Sequence, residues 1–206
     1  MQRISPAKLI ERYGIISDQV EPRELQAILD ELQKVLETGI VGAAVEFGCY
    51  VGTTSLHIQR LLGMYAPRES HVYDSFAGLP EKTPHDHSPA GEQFKPGELQ
   101  TSKKEFILNF RRAGLVLPHI HKGWFNELSP DDIPLPIAFA FLDGDYYESI
   151  ADSLALVWPK LTPGAVIVVD DYMNEALPGA QKAVESWLKT HPAKLTTKHS
   201  LAIIHT

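Results

Sequence analysis

The chain has one cysteine, Cys49, in 206 residues. That excludes an internal disulfide framework and fits a reducing compartment. Positive charge is also short. Nineteen Lys and Arg stand against 26 Asp and Glu, for a formal net charge of -7, so nucleic acid is not the expected partner. The basic doublets Lys103-Lys104 and Arg111-Arg112 fall on a helical pattern and read as a solvated face. No apolar run is long enough to span a bilayer, so no membrane partner is expected. Met1 to Ser17 lacks the continuous apolar core of a secretory signal, which points to the cytoplasm.

What is present is ordinary for one α/β domain: 44% hydrophobic and 22% charged residues over a length that can bury a sizeable core. Val41 to Phe47 is a short apolar run ending in an acid and a glycine, the pattern of a buried parallel strand. Gly48 and Gly52 bracket a tight loop, and Thr53 and Thr54 are the expected N-caps of the next helix. The loop is not a dinucleotide fingerprint, because the second and third glycines of Gly-x-Gly-x-x-Gly would fall on Tyr50 and Thr53. Nor is it a phosphate loop, having no Gly-Lys-Ser/Thr. Glu46-x-Gly48-x-x-x-Gly52 instead suits a ligand with positive charge and no phosphate, and S-adenosylmethionine is such a ligand.

Residues 1–40 are expected to form an N-terminal helical segment, weak over 1–20 and a firm helix over 21–37, ahead of a main unit over 41–206. The second strand, 71–76, ends at Asp74, 22 residues beyond Gly52, where an acid can accept hydrogen bonds from both ribose hydroxyls; Ser75 stands beside it. Residues 77–100 show no periodicity and suit a mobile lid. His85 and His87 on that stretch are candidate metal ligands or bases. A third strand over 119–124 ends at Trp124 and Phe125, either of which could cover an adenine ring. Apolar runs at 137–142 and 165–169 are central strands, ending at Asp143 and at Asp170-Asp171. Strands alternating with helices predict a doubly wound sheet. If those two strands are neighbours their ends lie about 5 Å apart, and three carboxylates at one point call for a cation. An all-oxygen set suits Mg²⁺.

Four stretches carry a family resemblance: Val-Glu-Phe-Gly-Cys-Tyr-Val-Gly-Thr-Thr, Tyr-Asp-Ser-Phe-Ala-Gly-Leu-Pro, Phe-Leu-Asp-Gly-Asp-Tyr-Tyr-Glu-Ser and Ile-Val-Val-Asp-Asp-Tyr, in this order. Over about residues 41–190 the chain resembles the macrocin O-methyltransferases, a family of class I S-adenosylmethionine-dependent enzymes. The resemblance implies a mostly parallel, seven-stranded, Rossmann-like sheet. It implies Mg²⁺ held by Asp143, Asp170 and Asp171. It also implies methylation of sugar or other natural-product hydroxyls on a small-molecule acceptor. Glu46, Gly48, Gly52, Thr53, Asp74, Ser75, Trp124 and Asp143 are then the expected donor-binding residues. Asp143, His85 and His87 are the candidate proton acceptors. Larger members carry extra segments ahead of the position of residue 41 that shape the acceptor site. The competing readings are a nucleotide-dependent oxidoreductase, a metal-dependent hydrolase, and a donor-binding protein without activity. A homodimer is one option for the assembly.

Overall fold

The computed structural model describes residues 3–91 and 93–206, so the start of the 1–40 segment and one position of the 77–100 stretch lie outside the described residues. Five parallel strands form the centre: β1 (Ala43–Phe47), β2 (Ser70–Asp74), β3 (His119–Lys122), β4 (Ile137–Leu142) and β5 (Leu161–Val169). β6 (Lys194–Lys198) and β7 (Leu201–His205) complete seven strands in the order β3-β2-β1-β4-β5-β7-β6, with β7 antiparallel to both neighbours. This is the expected mostly parallel α/β sheet. From β1 the chain first builds outward to β2 and β3, then returns to the other side of β1 with β4. The direction of winding therefore reverses between β1 and β4, the place where open α/β sheets form a ligand crevice.

Helices α1 (Pro6–Tyr13), α2 (Pro22–Glu37) and α3 (Thr53–Leu62) cover one face. Leu9, Leu25, Leu32 and Leu61 pack there on Phe139, Phe141 and Val168. α4 (Lys103–Arg112) adds Phe106 and Phe110 against Val72 and Leu56. α5 (Tyr147–Val157) and α6 (Pro178–Leu188) cover the other face, with Ile150, Leu154 and Val184 on Val45, Ala140 and Ile167. Successive residues of β4 thus point into different cores. That explains its unbroken apolar sequence. No described helix is long and apolar enough to cross a membrane.

Local boundaries differ from expectation for identifiable reasons. β5 begins at Leu161, four residues before its apolar run, because Leu161 already pairs with Ile137 ahead of a register irregularity. α5 stops at Val157 and gives way to a 3₁₀ turn, Trp158–Lys160, since Pro159 has no amide to continue it. The N-cap of α3 is Gly52, not a threonine: its φ of +89° makes the turn, and Thr53 and Thr54 are already inside the helix and buried. Residues 77–100 contain no helix or strand among the described residues. They are nonetheless tied down, by Leu79 and Glu98 (N···O 2.8 Å), by the Tyr146 hydroxyl donating to the Phe94 carbonyl (2.7 Å), and by Ser88 donating to the Glu175 carbonyl (2.6 Å).

Candidate functional site

The carboxyl ends of β1, β2, β4 and β5 open into one cavity of about 540 Å³. Two backbone features set its floor. The Gly48 amide donates to the Tyr73 carbonyl (2.9 Å) and the Asp143 amide to the Phe47 carbonyl (2.8 Å), so β1 stays stitched to both neighbours up to its last residue. Gly48 has φ +83°, and a β-carbon on it would lie 1.8 Å from the Asp143 carbonyl oxygen. Only glycine allows that approach.

Asp74 does more than the sequence suggests. Its Oδ2 accepts from the amides of Cys49 (2.8 Å) and Tyr50 (3.1 Å), and its Oδ1 accepts from Phe76 (2.6 Å). The carboxylate holds the glycine loop in shape. A carboxylate has about four acceptor positions, so three are taken and one remains for a ligand. Ser75, whose hydroxyl accepts from the Ala77 amide (3.0 Å), lines the cavity beside it, and Trp124 and Phe125 line it at the end of β3.

Glu46 is buried at the end of β1. Its Oε2 accepts from the Ser55 hydroxyl, while its Oε1 has no partner among the described residues and Glu46 lines the cavity. Burial pushes its carboxyl up to about 8; the Ser55 bond opposes this and Asp74 adds to it. Thr53 Oγ1 is likewise buried and without a partner. Unmatched polar atoms facing a crevice mark a place prepared for a ligand.

Ligand oxygens of Asp143, Asp145 and Asp171 lie within 4.8 Å of one another. Asp145 is the member that strand-end reasoning missed; its signal was the Asp-Gly-Asp spelling after β4, where Gly144 leaves room for Ser149, whose β-carbon would stand 2.7 Å from a β-carbon there. Asp170 lines the same cavity, but its Oδ1 accepts from the Asp171 amide (2.9 Å), with the Ser200 hydroxyl at 3.4 Å. Asp171 Oδ1 accepts from the Asn174 side-chain Nδ2 (2.8 Å). No hydrogen bond from the described residues reaches the Asp145 carboxylate. Both Asp145 (φ +61°) and Asp171 (φ +57°) hold left-handed backbone, a strained geometry concentrated at functional sites. Burial, then mutual repulsion, holds the carboxyls of Asp143, Asp145 and Asp170 well above the usual range. Burial brings Asp171 to about 6, with Asn174 opposing and Glu24 adding to the rise. The group brought together is thus Asp143, Asp145 and Asp171, without the Asp170 expected from the sequence, and three oxygen donors of this kind fit a hard divalent cation.

His85 and His87 do not line the cavity. His85 stacks on Tyr147 at 4.1 Å, facing α5 instead. The acid on that stretch that matters is Asp86, which is 1% exposed. Its Oδ1 accepts from the Tyr147 amide (2.7 Å) and its Oδ2 from the amide (2.8 Å) and hydroxyl (2.7 Å) of Thr83. α5 has no side-chain cap from its own N-cap residue, Tyr146. Asp86 supplies one from 61 residues away, next to the Asp143–Asp145 turn.

A family model described as macrocin-O-methyltransferase (TylF) matches residues 17–199. The chain is 33% identical over 72% of its length to 8-demethyl-8-(2,3-dimethoxy-alpha-L-rhamnosyl)-tetracenomycin-C 4'-O-methyltransferase of Streptomyces olivaceus. It is 30% identical over 78% of its length to mycinamicin III 3''-O-methyltransferase of Micromonospora griseorubida. It spans 61% and 65% of those relatives' own lengths. Among solved structures, the O-methyltransferase NovP superposes with a TM-score of 0.77 at 24% identity, covering 90% of this chain and 80% of that one. A calicheamicin methyltransferase superposes at 0.75 with 21% identity, over 88% and 78%. Both show the same fold.

Proposed function

The chain belongs to the macrocin-O-methyltransferase family, and from that footing we propose that it transfers a methyl group from S-adenosylmethionine to a hydroxyl of a glycosylated small molecule, with a divalent ion held by Asp143, Asp170 and Asp171. The observation that carries the reading is the shared cavity: the glycine loop after β1 and the converging carboxylates after β4 and β5 open on the same space. The named hydroxyls of the tetracenomycin and mycinamicin relatives support a sugar acceptor.

In this reading the loop that Gly48 turns lines the amino-acid end of the donor, with Gly52 set behind it against Phe106, while Glu46 and Thr53 present their unmatched oxygens to it. The free acceptor position of Asp74, with Ser75, takes the ribose, and Trp124 covers the base. Transfer joins the acceptor oxygen to the methyl carbon and breaks that carbon's bond to sulfur, so the oxygen must be aimed opposite the sulfur and must shed its proton. Mg²⁺, when bound, lowers the pKa of a hydroxyl and helps to aim it. Asp170 and Asp171 are braced by hydrogen bonds that favour their ionised forms, as ligands need to be. Asp145, which has no such bond and whose ligand oxygen stands within 4.8 Å of those of Asp143 and Asp171, accepts the proton. Cys49, reduced and buried in the loop, fits a cytoplasmic setting.

Calorimetry with S-adenosylhomocysteine, with and without Mg²⁺, followed by labelled methyl transfer to a panel of hydroxylated glycosides, tests the proposal. Absence of donor binding would end it. Undiminished turnover in excess EDTA would remove the ion.

A further inference from the structure

Asp170 keeps its two oxygens for different uses. Oδ1 accepts from the Asp171 amide (2.9 Å), with the Ser200 hydroxyl at 3.4 Å. No hydrogen bond from the described residues reaches Oδ2, and Asp170 lines the cavity. A carboxylate tied to the protein through one oxygen and open through the other has the form of a metal ligand with an outer-shell partner.

Ser200 itself is not part of the lining, and three separate elements fix where it stands. It sits in the two-residue turn between β6 and β7, where Lys198 pairs with Leu201 and His199 holds φ +56°. Its carbonyl accepts from the amide of Met173 (2.9 Å), in the loop that follows Asp171. Its amide donates to Glu24 Oε1 (3.2 Å) in the first turn of α2, and its hydroxyl reaches the same oxygen. Lys198 adds a second tie from this turn to α2, with its Nζ 3.3 Å from Asp30 Oδ2. The turn is thus wedged between the start of α2 and the strand end that carries Asp170 and Asp171. A hydroxyl has a single hydrogen to give. The Ser200 amide holds Glu24 by itself, so the hydroxyl can serve Asp170 without releasing Glu24, whose side chain faces the same cavity.

We propose, on the footing of the ion-assisted reading above, that Ser200 is a positioning residue for the ion: its hydroxyl fixes the orientation of Asp170 so that Oδ2 is left to the ion, and it joins that ligand to Glu24 at the start of α2. Ion binding and the order of the β6–β7 turn are then coupled, although no residue of the turn lines the cavity.

The test uses the whole chain and the metal alone, with neither methyl donor nor acceptor present. The Mn²⁺ dissociation constant, read from the electron paramagnetic resonance of the free ion, is expected to rise about fivefold or more in Ser200→Ala, toward the range of about 10–100-fold for loss of an outer-shell partner. Ser200→Thr, which keeps the hydroxyl, should return it to within about twofold of the wild type. In an Asp170→Ala background Ser200→Ala should cost nothing further, since Ser200 acts through Asp170. An unchanged constant in Ser200→Ala, an equal loss with and without Asp170, or no Mn²⁺ binding by the wild type overturns the proposal. Hydrogen exchange of the 198–201 segment gives a readout on the unaltered chain: Mg²⁺ should slow it, and exchange indifferent to Mg²⁺ contradicts the coupling. Calorimetry with S-adenosylhomocysteine keeps the two questions apart. Donor affinity should stay within about twofold in Ser200→Ala, and a fall matching that for Mn²⁺ would mark Ser200 as merely structural and overturn the role. No donor binding by the wild type would end the methyltransferase reading and leave the Mn²⁺ result standing.

Discussion

Gly48 and Asp143 sit back to back: the Gly48 α-carbon is so close to the Asp143 carbonyl that a β-carbon would stand 1.8 Å from the oxygen. The donor loop and the acid-bearing turn therefore share one wall, and neither can shift alone. Gly48→Ala must move one of them and must also hold φ +83° with a side chain. It is expected to destabilise the fold by about 2–4 kcal/mol and to abolish S-adenosylhomocysteine binding. A thermal melt and calorimetry on the same preparation check both effects.

In the proposed mechanism the four carboxylates divide into two roles. Asp143→Asn, Asp170→Asn and Asp171→Asn are each expected to raise the dissociation constant for Mn²⁺ at least tenfold. Asp145→Asn should leave it within about threefold while lowering kcat by 10²–10⁴, the range for loss of a general base. A dissociation constant that moves with Asp145 and not with Asp170 would exchange the two assignments.

Stability should depend on pH in a direction opposite to that of a salt-bridged protein. Glu46 has its carboxyl raised from 4.5 to about 8 by burial. The folded state then binds more protons than the unfolded chain between those values, and stability falls as pH rises through that window. The metal-free melting temperature is expected to drop from pH 5 to pH 8. Glu46→Gln should flatten the upper part of the curve, and Mg²⁺ should restore stability most at the alkaline end. Scanning calorimetry across that range reads all three.

Asp86 is the peg of the 77–100 stretch. Gly179 leaves room for it, since a β-carbon there would come 1.9 Å from Asp86 Oδ1. Asp86→Ala removes the borrowed cap of α5 and orphans the Thr83 groups, for a cost of about 2–3 kcal/mol. Hydrogen exchange at Tyr147 and neighbouring amides should accelerate, while Asp86→Asn, which keeps the Oδ1 acceptor, should restore much of the protection.

The architecture was largely legible because its signals are local. Unbroken apolar runs at β4 and β5 require burial on both faces, and the glycine spacing after β1 dictates a strand, a tight turn and a helix. The N-cap of α3 was misplaced because threonines are good caps in general, whereas here the left-handed turn already present at Gly52 makes the cap. What stayed hidden depends on contacts between distant residues. Asp74 bracing Cys49 and Tyr50, Asp86 capping α5, and Asp145 turning back toward Asp171 are set by the packing of separate loops. No short-range pattern encodes the first two, and the third shows only as the Asp-Gly-Asp spelling after β4. The 77–100 stretch read as a lid because it lacks periodicity, yet its order comes from single side chains anchored on α5 and α6.

The most direct measurement is nuclear relaxation of bound S-adenosylhomocysteine in the presence of Mn²⁺. A donor lying against the carboxylates predicts strong Mn²⁺-dependent broadening of the protons beside its sulfur, lost in Asp171→Asn. Tight binding of S-adenosylhomocysteine with those lines unaffected by Mn²⁺ would contradict the shared site.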